Sequence, residues 1–182
     1  MKDLQRNEKL IIDKNIPNPG IFAIVPIVRG EIIFYFDRHF VATPTNISMR
    51  VDEHRHQLST DPTLPENFLN HSCAPTSFVD FEILALKALR DILPGEQITY
   101  NYYTSDWDDE DVFECHCGAS DCHRYIRGFK NLPIEQRLKI KDFLSPFLLS
   151  KFYDGLSKDQ KICHPGRRSV WGPALGGDLT KI

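Results

Sequence analysis

The chain has 182 residues, 41% hydrophobic and 26% charged, with a net charge of −3. That length suits one domain with a proper core plus appendages, the composition excludes wholesale disorder, and the mildly acidic balance argues against a strongly basic nucleic-acid-binding domain. No apolar run approaches the ~20 residues of a membrane span, and the charged residues 1–8 lack the apolar core of a secretion signal, so a cytoplasmic or nuclear protein that enters no membrane is expected.

Taken in order, residues 10–12, 21–25 and 32–36 read as strands, broken by Pro17, Pro19-Gly20 and Arg29-Gly30, because proline cannot donate to a ladder and glycine tolerates turns. Short strands between turns predict a small, mainly β core. Residues 37–67 change character: Asp52 to Gln57 are strongly polar and Pro44, Pro62 and Pro65 punctuate them, which predicts a long surface insert. His54 and His56 alternate there as a solvated face, with metal binding the weaker alternative. Residues 83–89 form a candidate central strand, although their alanines and leucines leave a helix possible on propensity alone, and Pro94-Gly95 suits a type II turn. The strand after it places Tyr100 and Tyr102 on one face, since side chains two apart in a strand point the same way.

Asp106, Asp108, Asp109, Glu110 and Asp111 crowd around Trp107, either as a solvated loop or as an attraction for a basic substrate. Pro133 suits a first helical position, and Ile140, Phe143, Leu144 and Phe147 make a stripe at i, i+3, i+4, i+7 that Pro146 interrupts, predicting two short helices or a kink. The stripe packs either on the domain or on a second copy, as a homodimer through these helices. Residues 161–182 read as a flexible tail, with Cys163 beside His164 as a spare cysteine.

Five cysteines are an odd number, and in a reducing compartment the clustered ones read as metal ligands rather than disulfides. Cys115, Cys117 and Cys122 supply three thiols within eight residues, Gly118 allows the tight path, and His116 and His123 are rival ligands. Upstream stands Asn70-His71-Ser72-Cys73-Ala74-Pro75, and between the two lies Gly95-Glu96-Gln97-Ile98-Thr99-Tyr100-Asn101-Tyr102. Asn-His-Ser-Cys-x-Pro, Gly-Glu-x-Ile-Thr-Tyr-x-Tyr and Cys-x-Cys-Gly-x-x-x-Cys, in that order, resemble a SET-domain protein-lysine methyltransferase with its post-SET zinc segment.

The resemblance, which covers roughly residues 8–128, implies a SET fold of several small sheets with a knot-like crossing at the active site; the short helical extension after it is read from the stripe alone. Its boundaries are residues 8–128 for the SET domain, with the insert at about 37–67 as one wall of the substrate groove and the zinc segment at about 113–128. The helical extension covers 129–160. It makes Cys73 the fourth ligand of a structural zinc with Cys115, Cys117 and Cys122, so that metal binding pins the C-terminal segment beside Asn70 and His71. S-adenosylmethionine is implied against Asn18, Pro19, Gly20, Ile21 and Phe22, against Asn70, His71 and Tyr102, and under Ile126 at the adenine. The implied partner is a protein or peptide presenting lysine, with no direct contact to nucleic acid.

Methyl transfer to an amine needs the amine neutral, and a lysine of pKa ~10.4 is neutral about once in a thousand at pH ~7.4, a deficit of roughly 4 kcal/mol. Repulsion from a sulfonium about 5 Å away at an effective dielectric of about 20 recovers on the order of 3 kcal/mol. Desolvation contributes the rest, so no protein base is required. What the protein must supply is alignment. By resemblance, Tyr102 matches the family's active-site tyrosine, and Tyr100 stands where a tyrosine narrows the channel and favours adding one methyl group. Asn18 replaces the first glycine of the family's Gly-x-Gly, Asn101 an aspartate and Thr76 an asparagine. Two other functions are weighed: an inactive, zinc-stapled binding scaffold, and methylation of a small amine or amino acid.

Overall fold

The computed structural model describes residues 8–45, 47–108 and 112–156. The tail at 161–182, with Cys163 and His164, and the acidic positions 109–111 lie outside them. Twelve short strands appear in chain order among the described residues: β1 (Leu10–Asp13), β2 (Gly20–Ala23), β3 (Ile32–Tyr35), β4 (Phe40–Val41), β5 (Met49–Arg50), β6 (His56–Gln57), β7 (Asn70–His71), β8 (Ser77–Asp80), β9 (Ala85–Ala88), β10 (Gln97–Tyr100), β11 (Phe113–Glu114) and β12 (Tyr125–Ile126). Helices α1 (Ile134–Ile140) and α2 (Pro146–Asp154) close the described chain.

The strands form four small sheets, ordered β1-β2-β10-β7, β3-β9-β8, β4-β6-β5 and β11-β12. The expected central strand at 83–89 is β9, antiparallel to β3 on one side and β8 on the other. Its alanines and leucine are almost fully buried, which explains how a stretch with helical propensity settles as a strand: packing on both faces overrides propensity. The Leu93–Glu96 turn is closed by Glu96 N–H donating to Leu93 O at 3.0 Å, with Gly95 at φ 86°. Glu96 also accepts from Leu93 N–H and holds Arg90 through two bonds of 3.1 Å. This turn launches β10, whose first half pairs antiparallel with β2 and whose second half pairs parallel with β7, Thr99 opposite Asn70 and Tyr100 opposite His71.

The insert is more ordered than a surface excursion. It builds the β4-β6-β5 sheet and buries Met49, Val51, His56 and Gln57. His54 is exposed, as a solvated face requires, but His56 is 4% exposed and its imidazole is held below its ordinary pKa, chiefly by burial and then by Arg50. A two-residue strand carries no period for a sequence to display, so its inward face was invisible.

Two apolar clusters organise the molecule. The first joins β2, β3, β8, β9 and β10 with residues of the insert; the second joins Tyr103, Cys115, Ile126, Phe129, Leu132, Leu144, Leu148, Phe152 and Leu156. As expected, proline divides the C-terminal stripe into two short helices. Pro146 opens α2, Ser145 caps it by accepting from Leu148 N–H at 3.3 Å, and Pro133 sits one residue ahead of α1. No helix among the described residues is long and apolar enough to cross a membrane.

Candidate functional site

The strand expected to carry both tyrosines stops at Tyr100. Asn101 Oδ1 accepts from Tyr103 N–H at 3.0 Å and turns the chain into a 3-10 helix, Tyr102–Thr104. The two rings are nonetheless neighbours, their centroids 4.9 Å apart. Asn101 therefore has a local role that an uncharged amide performs well in a site 8% exposed. Thr76 is likewise committed, its hydroxyl accepting from Thr99 N–H at 2.9 Å and stitching β8 to β10.

The turn holding Tyr102 is braced from the C-terminal side. Ser145 N–H donates to Thr104 O at 2.8 Å, Phe129 N–H to Asp106 O at 2.7 Å and Lys130 N–H to Trp107 O at 2.9 Å. Lys130 also forms an ion pair with Asp108, so part of the acidic stretch around Trp107 is neutralised within the fold. The Tyr102 hydroxyl donates to Leu69 O at 2.8 Å, which fixes the phenol against the backbone leading into β7. Tyr100 is 7% exposed, its hydroxyl 3.4 Å from Ser105 Oγ.

Asn70 and His71 stand alongside. Asn70 Nδ2 donates to Pro19 O at 2.8 Å, tying β7 to the turn before β2. His71 Nδ1 accepts from Tyr102 N–H at 3.1 Å, and the ring packs edge-on against Tyr102, Tyr103 and Phe113. Burial, then repulsion from His123, lowers its pKa to about 4, so the imidazole is neutral near pH 7.

These groups border a cleft of about 600 Å³ lined by Asn18, Asn70, His71, Gln97 and Tyr102, with Ile16, Pro17 and the Phe113–Cys117 segment opposite. Asn18 lies there without a positive φ, so its substitution for glycine carries no backbone strain. At Gly20 a Cβ would stand 2.2 Å from Gln97 Nε2 and 3.0 Å from Asn70 Nδ2, so glycine is what allows these two amides to converge. Ile21 and Ile126 are fully buried beside the site rather than lining it, while Phe22 borders a separate shallow hollow with Ile11 and Pro94. Gln97, Phe113 and Glu114 are cleft residues that motif reading passed over. Gln97 is the unspecified position of Gly-Glu-x-Ile-Thr, and the other two precede the thiols in a strand too short to show a pattern.

The cleft's far end meets the thiols. The sulfurs of Cys73, Cys115, Cys117 and Cys122 all lie within 4.8 Å of one another, with Cys73 and Cys115 4.0 Å apart. Zinc–sulfur bonds of ~2.3 Å in a tetrahedron imply sulfur–sulfur distances of ~3.8 Å; a disulfide needs ~2.05 Å. The arrangement fits a tetrahedral cation. The thiols differ in acidity. Burial raises Cys115 to about 11, and it raises Cys73 further, with repulsion from Cys115 and Cys117 adding to the shift. Cys117, although burial opposes its ionisation, falls to about 6 under amide donation from Ala119 and Cys73 and donation from neighbouring thiols. Four adjacent thiolates are stable only around a positive charge. His116 and His123 stand outside the set.

Residues 18–103 match the SET domain family. Over 138 residues the chain is 28% identical to a histone-lysine N-methyltransferase, H3 lysine-4 specific, of Emericella nidulans, an overlap of 64% of this chain and 11% of the relative. Over 109 residues it is 29% identical to histone-lysine N-methyltransferase 2D of Homo sapiens, covering 55% of this chain and 2% of that protein. The chain thus spans a small fraction of the curated relatives it matches. The crystal structure of KRYPTONITE in complex with mCHG DNA and SAH superposes with a TM-score of 0.55 at 20% identity, covering 64% of this chain and 28% of that one. The fold of small β sheets is SET-like.

Proposed function

We propose, from the SET domain at residues 18–103, that the protein transfers a methyl group from S-adenosylmethionine to the side-chain amine of a protein lysine. The observation that carries this is the convergence of Asn70, His71 and Tyr102 on one cleft whose far end is formed by the zinc-ready thiols. When bound, S-adenosylmethionine would supply a methyl group on positively charged sulfur to a lysine amine that has already released its proton to solvent, the sulfur becoming a neutral thioether.

The chain's own residues bind and align. Asn18, Asn70 and Gln97 present amide donors and acceptors along the cleft, and Gly20 gives them room to approach. Tyr102, held by Leu69 O, offers a fixed phenol oxygen at the reacting end, and Tyr100 packs against it to limit the space around the amine. Cys73, Cys115, Cys117 and Cys122 would hold a zinc ion, which would fasten the Phe113–Cys117 wall to the chain just after β7. Glu114, exposed on that wall, gives the mouth a negative charge suited to a basic peptide.

The test is transfer of labelled methyl from S-adenosylmethionine to proteins of a cell lysate, with Tyr102→Phe alongside. Incorporation into lysine that falls by about 100-fold in the variant, the scale of one lost electrostatic contact at a reacting centre, supports the reading. Unchanged transfer removes Tyr102 from the chemistry. Label appearing in free amino acids identifies a small-amine methyltransferase instead, and cofactor that fails to bind by calorimetry identifies a binding scaffold.

A further inference from the structure

His71 touches both halves of the site through opposite nitrogens. Nδ1 accepts the Tyr102 backbone N–H at 3.1 Å, while Nε2 lies 3.4 Å from Cys73 Sγ. A backbone amide can only donate, so Nδ1 carries a lone pair, and in the neutral ring the proton resides on Nε2, aimed at the cysteine sulfur. Tyr102, Tyr103 and Phe113 enclose the ring edge-on and remove its freedom to flip. The cysteine concerned is the one of the four thiols that lies far from the others in the chain, and the amide concerned belongs to the tyrosine that ends the cleft.

We infer that His71 is a positioning residue that couples the metal staple to Tyr102, donating Nε2–H to the Cys73 thiolate while its Nδ1 anchors the first residue of the 3-10 turn. This rests on the proposed reading of the thiols as a zinc site and of Tyr102 as the aligning phenol. A hydrogen bond onto a metal-bound thiolate spreads its charge and orients the ligand, and such outer contacts change metal affinity by about 10- to 100-fold. The motif spacing then acquires a reason: with one residue between histidine and cysteine, a two-residue strand presents the imidazole to the sulfur and to the partner strand's continuation together.

Three variants separate the two contacts. His71→Asn places an amide oxygen where Nδ1 stands and leaves the sulfur without a donor. His71→Gln places an amide nitrogen where Nε2 stands and leaves the Tyr102 amide without an acceptor. His71→Phe keeps a ring against its aromatic neighbours and loses both contacts. Each is read by zinc release to a chromogenic chelator, by the thiolate-to-metal absorption band of the cobalt-substituted protein, and by kcat and KM for methyl transfer.

His71→Asn and His71→Phe should release zinc about 10-fold faster and shift the cobalt band. His71→Gln should keep both near wild type while kcat falls. Wild-type rates and an unshifted band in His71→Phe overturn the coupling, as does a kcat loss in His71→Asn with no change at the metal. Wild-type protein that takes up no zinc or transfers no methyl group refutes the proposed function itself, an outcome distinct from variants indistinguishable from a competent wild type.

Discussion

The two apolar clusters are built on different principles. The first is a set of strand ladders joined by tight turns, in which β3-β9-β8 and β1-β2-β10 exchange backbone hydrogen bonds and bury Ile21, Leu86, Ile92 and Ile98 completely. The second has only the two-residue pairing of β11 with β12, two helices of seven and nine residues, and aromatic packing around Phe129 and Phe152. Helices that short are marginal without tertiary contacts, and four thiols sit within this second cluster or against it. One region coheres through its own backbone; the other gathers four thiols at a place that fits an ion. The cleft lies on the seam, one wall from each.

Removing the metal is the strongest way to break this comparison. Chelation should strip hydrogen-exchange protection from residues 113–156, leave β8 and β9 protected, and abolish methyl transfer, since structural zinc contributes on the order of 10 kcal/mol to small domains. Simultaneous loss of protection in both regions would show that they fold as one unit. Next in size, Phe129→Ala removes a fully buried ring from the second cluster and should cost ~3–5 kcal/mol, whereas Ile98→Val in the first should cost ~0.5–1.5 kcal/mol, measured by denaturant midpoints of the zinc-loaded protein.

A smaller effect tests the cleft wall that belongs to the first region. Gly20→Ala, whose new methyl collides with the Gln97 amide, should weaken S-adenosylmethionine binding by about tenfold, or ~1.4 kcal/mol, by calorimetry, with zinc release unchanged. Gln97→Ala in the same chain should restore part of the loss if the collision is the cause. The smallest effect concerns the insert. His56 is neutral in the folded protein with its pKa held down by burial, so the unfolded chain takes up a proton more readily. The imidazole's contribution is intact above pH ~6.5 and is lost as pH falls below it. The thermal stability of the wild type should fall between about pH 7.5 and 5.5, the span around an ordinary imidazole pKa, more than that of His56→Leu.

How far the sequence announced this structure differs between the same two regions. The strands of the first were legible because Ile32 to Phe36 is an unbroken apolar run behind Arg29-Gly30, Ile83 to Leu89 is apolar but for Lys87, and Gly95 has the positive φ that a Pro-Gly turn demands. The four thiols were legible by resemblance, through Asn70-His71-Ser72-Cys73, and they meet in space. What stayed hidden depends on contacts that no local pattern encodes. Tyr102 leaves the strand because the Asn101 side chain captures the amide of Tyr103. His56 faces inward on a strand of two residues, and Gln97 enters the cleft because Gly20, two residues from its partner on β2, has no side chain to block it.

The thiol quartet also sets an order of events during synthesis. Roughly fifty residues separate Cys73 from Cys122, and a ribosome adding ~5–20 residues per second leaves the first thiol waiting about 2–10 s for the last. During that interval the nascent chain exposes a lone sulfur with no ion to claim it, and β7 has no neighbour until residues 99 and 100 emerge. Cells that make this protein slowly, or under oxidative stress, would divide its yield between metallated chains and chains already capped at Cys73.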